Sequence, residues 1–169
     1  AAMRMPPIGL LLNRSTETLT RAAIDNCLLT HNEPRARAAC VAVAYLAARL
    51  LQSNEHSSPG EQVLETADHI AHIDADIAAV LRWTTQITQL PPEKALFEIG
   101  TSSDCMETVP AAVYCFLKYP GNYSGAVLSA VNAGDAADSI AALAGSFVGA
   151  LAGVDAIDKQ WLREVENSD

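Results

Sequence analysis

From Ser139 to Val154 the chain carries no charged residue, and Gly145, Gly149 and Gly153 recur within that run at every fourth position. Glycine costs a helix about 1 kcal/mol relative to alanine. Three on one stripe imply a second backbone lying close against them. The run is bounded by Asp138 and Asp155 and falls short of the ~18 apolar residues that a membrane-crossing helix needs. The spacing therefore predicts a buried helix, Ile140 to Gly153, central to a helical domain and with its glycine face covered. Asp135, Asp138 and Ser139 stand where that helix begins. They are hard oxygen donors of the kind a magnesium ion prefers. Asp138 suits the N-cap, where a carboxylate also meets the positive end of the helix dipole. An aspartate in that position also serves simply as a cap.

The chain has 169 residues, half of them hydrophobic but only 5% aromatic. That is enough for one domain with a core, filled largely by alanine, which suits closely packed helices. The net charge of -9 repels phosphate backbones and argues against a nucleic-acid partner. A phosphate-bearing ligand would need backbone amides, a helix N-terminus or a metal to offset that field. Cys27, Cys40, Cys105 and Cys115 form no C-x-x-C pair and are expected as free thiols in a reducing compartment. The chain shows no signal-peptide pattern and no transmembrane run, and a cytoplasmic location is expected.

Read in order, the sequence predicts helices separated by Pro, Gly and Asn junctions. Ser15 caps a helix running to about Leu29. Pro34 opens the next, which is rich in alanine and valine and reaches Gln52, with Arg35, Arg37 and Arg49 on its wet side. Ser53 to Gly60 is a loop by composition. One or two helices fill Gln62 to Thr88, and a short one runs from Glu93 to Ile99. Gly100 to Asp104 is a loop, Pro110 opens a helix, and Tyr123 to Ala133 forms another. After Gly153, Ile157 to Val165 reads as a last amphipathic helix with Trp161 inward. No strand alternation is visible, so the fold class is all-α.

Other groups with chemical potential are few. Asp68, His69, His72, Asp74 and Asp76 cluster in sequence. On one helix their spacing puts both histidines on a single face, a pattern that can hold a transition metal but more simply describes a solvated face. His31 stands in a loop before a helix N-terminus, where an imidazole can touch a phosphate or a ribose hydroxyl or simply cap the helix. Cys105 has no histidine near it in sequence, and neither a Walker loop nor a dinucleotide fingerprint occurs.

The segment Asn132-Ala-Gly-Asp-Ala-Ala-Asp-Ser-Ile-Ala-Ala141, with the glycine-striped run behind it, resembles the C-terminal signature of the ADP-ribosylglycohydrolases. Glu107 to Leu117, Ala1 to Leu10, Leu29 to Arg35 and Ile157 to Trp161 resemble further segments of that family in the same order. The resemblance covers essentially the whole of residues 1-169 and implies a single domain: a compact orthogonal helical bundle.

It further implies a hydrolase in which two magnesium ions hold the ribose and activate a water, releasing ADP-ribose from modified protein side chains. Carried over by position, Asp138 and Ser139 are metal ligands, with Asp135 one residue early. His31, Asn132, Gly134, Ile99 and Gly100 fall to substrate binding. The sequence also departs from the family pattern. Ala136 stands where the first metal-binding aspartate belongs, Asp135 replaces the second glycine, and no Asp-Asp pair occurs anywhere. The expectation is a chain resembling the C-terminal half of such a protein, lacking the N-terminal part and binding magnesium weakly or not at all. Two readings follow: a partial or impaired hydrolase, or an inactive member that binds ADP-ribose or serves structurally, as the jellyfish lens crystallins resemble this family without needing its chemistry.

Overall fold

The structure, a computed structural model, describes residues 1–53 and 57–165. Among the described residues it is built of helices and turns, with no strand. The helices are α1 (Pro6–Leu11), α2 (Thr16–Leu28), α3 (Pro34–Leu51), α4 (Pro59–Ile70) and α5 (Ala75–Gln86). They continue with α6 (Pro92–Ile99), α7 (Cys105–Lys118), α8 (Tyr123–Val131), α9 (Ala137–Ala152) and α10 (Lys159–Glu164). Short 3₁₀ turns precede α1 and follow α9. None of these helices is long and apolar enough to cross a membrane.

Local chemistry sets most of the boundaries. Ser15 accepts a hydrogen bond from the Thr18 N–H and starts α2. Pro34, Pro59 and Pro92 occupy first helical positions, where the missing N–H is no loss. Ser58 and Glu61 form a reciprocal capping box at α4. Asp74 caps α5 and Asp104 caps α7. Because Asp104 starts α7, Pro110 lies inside that helix and does not open it.

The central element is α3. Every residue from Ala38 to Ala48 is buried, and α1, α2, α4, α7 and α9 all pack on it. Its alanines let neighbours approach from several sides. At the α1 crossing the approach is so close that a Cβ on Gly9 would overlap the Ala44 carbonyl. The second layer is α7, buried from Thr108 to Phe116. It meets α9 through an edge-to-face pair, Phe116 on Phe147, with centroids 5.9 Å apart.

The helix expected at the centre, α9, is covered on one side only. Ile140, Leu143, Ala144, Gly145, Phe147 and Val148 are buried. The glycine stripe is likewise not one buried face. Gly145 is tight against Tyr123 and Val127, whereas a Cβ on Gly149 would meet nothing within 4 Å. Gly153 ends the helix with φ 74°. Gly149 thus faces open space, and the expected close contact exists only at Gly145. The C-terminal helix is shorter than its apolar pattern suggests. Trp161 is half-buried, edge-on to Tyr123 at 6.2 Å.

Candidate functional site

Two loops meet at the N-terminus of α9. The first, residues 100–104, leaves α6 at Gly100, whose φ of 87° suits glycine and whose missing side chain leaves room for Glu107. The Glu107 Oε2 accepts the Ser102 N–H at 2.9 Å, and the Thr108 hydroxyl donates to the Ser102 carbonyl at 2.7 Å. The first turns of α7 thus hold this loop by its backbone. The second loop joins α8 to α9. Gly134 and Asp135 take φ values of 83° and 45°, a left-handed bend that aspartate tolerates better than most residues. The bend brings Asp135 Oδ2 to the Thr101 hydroxyl at 3.2 Å, while the Ala136 N–H donates to the Thr101 carbonyl at 3.0 Å.

The N-cap of α9 is Ala136, with no side chain to cap it, so Asp138 sits in the first turn and not at the cap. Asp138 is exposed, placed against the positive end of the helix dipole. With Asp135, Ala136, Ser139, Ser102 and Ser103 it lines an open groove of about 450 Å³. Ser139 and Ser103 also line a second recess of about 250 Å³, whose other walls include His31, Glu33, Asp104, Cys105 and Thr108. The two adjoining recesses, which share Ser103 and Ser139, make up the candidate cleft. It contains carboxylates, hydroxyls and an imidazole drawn from three separate parts of the chain.

His31 reaches this cleft because the end of α2 pins it. Its N–H donates to the Cys27 carbonyl at 2.8 Å, the buried Cys27 thiol donates to the His31 carbonyl at 3.5 Å, and Nδ1 lies 2.8 Å from the Thr30 hydroxyl. Cys105 is a poor nucleophile in the same cleft. Burial, and then the Asp104 charge, push its thiol up to about 11, so little thiolate exists at neutral pH. All four cysteines are free, and Cys105 alone is half-buried.

The remaining candidates lie elsewhere. Asn132 ends α8 and donates to the Leu128 carbonyl at 2.9 Å. It lines a different recess of about 620 Å³, with Phe97, Thr101, Tyr119 and Ser129. That recess has a carboxylate and hydroxyls but no imidazole, whereas the cleft at the start of α9 gathers all three. Ile99 is buried, Gly100 is packed on Glu107, and Gly134 bends the loop without facing the cleft wall. Sequence reasoning missed Ser102, Ser103 and Thr101; a Gly-Thr-Ser-Ser loop before an Asp-capped helix was the available signal.

The aspartates of the histidine–aspartate cluster disperse, while His69 and His72 stay edge to face with centroids 6.3 Å apart. Helix α4 stops at Ile70, so His72 falls in the turn beyond it. Asp68 pairs with Arg82 at 2.7 Å, Asp76 lies 3.6 Å from Arg35, and Asp74 caps α5. His69 is not a surface residue of the usual kind. It stacks on Tyr45 at 4.3 Å and its Nε2 meets the Thr20 hydroxyl at 3.1 Å. Among the described residues no three His, Cys, Asp or Glu side chains are grouped so as to hold a metal ion.

Comparison with known proteins gives the family. The sequence profile of the family described as ADP-ribosylglycohydrolase matches residues 1–169. An uncharacterized protein of Archaeoglobus fulgidus is 31% identical over 99% of this chain and 53% of its own length. ADP-ribosylarginine hydrolase Tri1 of Serratia proteamaculans is 25% identical over 96% of this chain and 41% of its own. Human ADP-ribosylhydrolase ARH3 is 29% identical over 44% of this chain and 23% of its own. The chain thus spans about half the length of the curated relatives that match it end to end.

Proposed function

Because the chain belongs to the ADP-ribosylglycohydrolase family, we propose that its cleft receives an ADP-ribosyl group and that these residues by themselves hydrolyse it slowly or not at all. The observation that carries this reading is the meeting of His31 and Ser139 on one recess, with Asp138 on the adjoining groove. Hydroxyl and imidazole donors suit the oxygens of ribose and diphosphate. The N-terminus of α9 contributes a positive dipole that offsets part of the acidic field.

The donor set does not fit a pair of magnesium ions. Each ion takes about six oxygens in near-octahedral geometry, and a two-metal site needs carboxylates that bridge. Five carboxylates stand at the loops and the cleft wall. Asp104 is committed to the Met106 N–H and Glu107 to the Ser102 N–H. Asp135 is engaged by Thr101, which leaves Asp138 on the groove and Glu33 on the adjoining recess, two single carboxylates on different recesses. Ala136 offers no ligand at the helix start.

Calorimetry with ADP-ribose, with and without magnesium, tests binding. Release of ADP-ribose from ADP-ribosyl-arginine and ADP-ribosyl-serine peptides tests turnover. We expect saturable ADP-ribose binding that magnesium barely alters, and no release. The triple variant Asp135→Gly, Ala136→Asp, Ala137→Thr is expected to bind magnesium more tightly and still release nothing. Metal-dependent release by the unmodified chain would overturn the reading.

A further inference from the structure

We propose that Arg4, acting through the Thr30 hydroxyl, holds the His31 imidazole in a single tautomer, with the proton on Nε2 facing the cleft. The proposal rests on the reading above that the cleft is where the ligand enters. It makes Arg4 and Thr30 positioning residues and gives His31 one role: a hydrogen-bond donor to an acceptor oxygen of the bound group, neither a base nor a metal ligand.

The argument follows the protons. The Arg4 guanidinium forks over the end of α2. Its Nε donates to Asn26 Oδ1 at 2.7 Å, and Nη2 donates both to the Asn26 carbonyl at 2.9 Å and to Thr30 Oγ1 at 2.8 Å. Arginine only donates, so its bond uses one lone pair of the Thr30 oxygen. His31 Nδ1 lies 2.8 Å from the same oxygen. Two arrangements satisfy that distance. In one, Nδ1–H donates to the second lone pair, and the oxygen takes two donors, one of them cationic, while its own proton is left to solvent. In the other, the hydroxyl proton goes to an unprotonated Nδ1. A hydroxyl that accepts from a cation is polarised into a better donor, which favours the second arrangement.

The neutral ring then carries its proton on Nε2, which bonds to no other group among the described residues. The backbone of His31 is pinned on both sides by Cys27, and the Nδ1 contact with Thr30 turns the Nε2 edge away from Thr30.

The test uses the 169-residue chain and ADP-ribose. Long-range nitrogen–proton NMR on the His31 ring reads the tautomer without any ligand. We expect a pyridine-like Nδ1 and a protonated Nε2 in the parent. Thr30→Val removes the relay oxygen at nearly constant shape. It is expected to mix the tautomers and weaken ADP-ribose binding roughly tenfold, the effect of losing one hydrogen bond. Thr30→Ser keeps the hydroxyl and is expected to match the parent in both readouts, which separates the relay from general folding effects. Arg4→Gln should act in the same direction, and Arg4→Gln with Thr30→Val should lose no more than Thr30→Val alone, because both break one chain of contacts. A parent with its proton on Nδ1 overturns the proposal. So does a Thr30→Val chain that retains the parent's tautomer and affinity, or a Thr30→Ser chain that behaves like Thr30→Val. A parent locked in the Nε2–H form that binds no ADP-ribose leaves the relay standing and removes the reading of the cleft.

Discussion

Helices α3 and α9 are both rich in alanine, and the molecule uses them differently. Six helices pack on α3, and its residues from Ala38 to Ala48 are all buried. Helix α9 buries one side, on α3, α7 and α8, and leaves its first turn and its Gly149 side open. The enclosed helix carries stability. The half-open helix carries the site, because a helix N-terminus can face a ligand only where other elements leave it uncovered. The loops that complete the cleft are fixed by a few polar bonds to backbone groups, and these contribute little to the core.

That division can be broken from either side. The largest effect is expected from Phe147→Ala, on the buried side of α9. Removing a fully buried ring against Phe116 should cost about 4 kcal/mol in urea unfolding, and a loss below about 1 kcal/mol would mean that the α7–α9 packing is misassigned. Next, Gly9→Ala puts a methyl group into the Ala44 carbonyl. The expected cost is about 3 kcal/mol, read as a lowered Tm; a neutral outcome would show that α1 does not press on α3 as described.

On the open side the sign reverses. Gly149→Ala adds a methyl group in free space within a helix interior and is expected to stabilise by about 0.5–1 kcal/mol. A destabilised variant would restore the idea that this face is covered.

The smallest effect concerns the polar edge of α3, where His69 stacks on Tyr45. Burial first, and then the neighbouring His72, lower the His69 pKa below its ordinary 6.5, with Glu65 opposing. A depressed histidine pKa means that the unfolded chain takes up the proton more readily. Stability is then complete above 6.5 and falls as pH drops from there through the folded value. Urea midpoints on both sides of 6.5, compared with those of His69→Gln, should show a smaller acid loss in the variant. Equal losses would assign the pH dependence to other groups.

The glycines show where local reading succeeds and stops. Gly100 and Gly153 have positive φ and end helices, as their places after the last apolar residue suggest. Gly9, Gly145 and Gly149 all sit within helices and look alike in sequence, yet one is indispensable, one is tight against side chains and one faces open space. The difference lies in residues far away in the chain, Ala44 and Tyr123, which periodicity cannot locate. The same holds for the site. Ser139 and His31 were legible as candidates from their positions at helix starts, and Asp135, in the place of a family glycine, indeed has positive φ. Which recess Asn132 lines was not legible, because the direction in which a helix C-terminus points depends on the packing of α8 against α9.

By itself the sequence determined the helical class, most helix starts, and the exclusion of membrane-length helices and of a Walker loop, since caps, prolines and hydrophobic periods act over a few residues. Only the tertiary structure decided that α3 and not α9 lies at the centre, that Pro110 is carried inside α7, and that the aspartates near His69 and His72 separate into a cap and ion pairs. It also decided that His31, Ser103 and Ser139 share one wall. Each of these depends on which surfaces exclude water from each other, and that is a property of the whole packed chain.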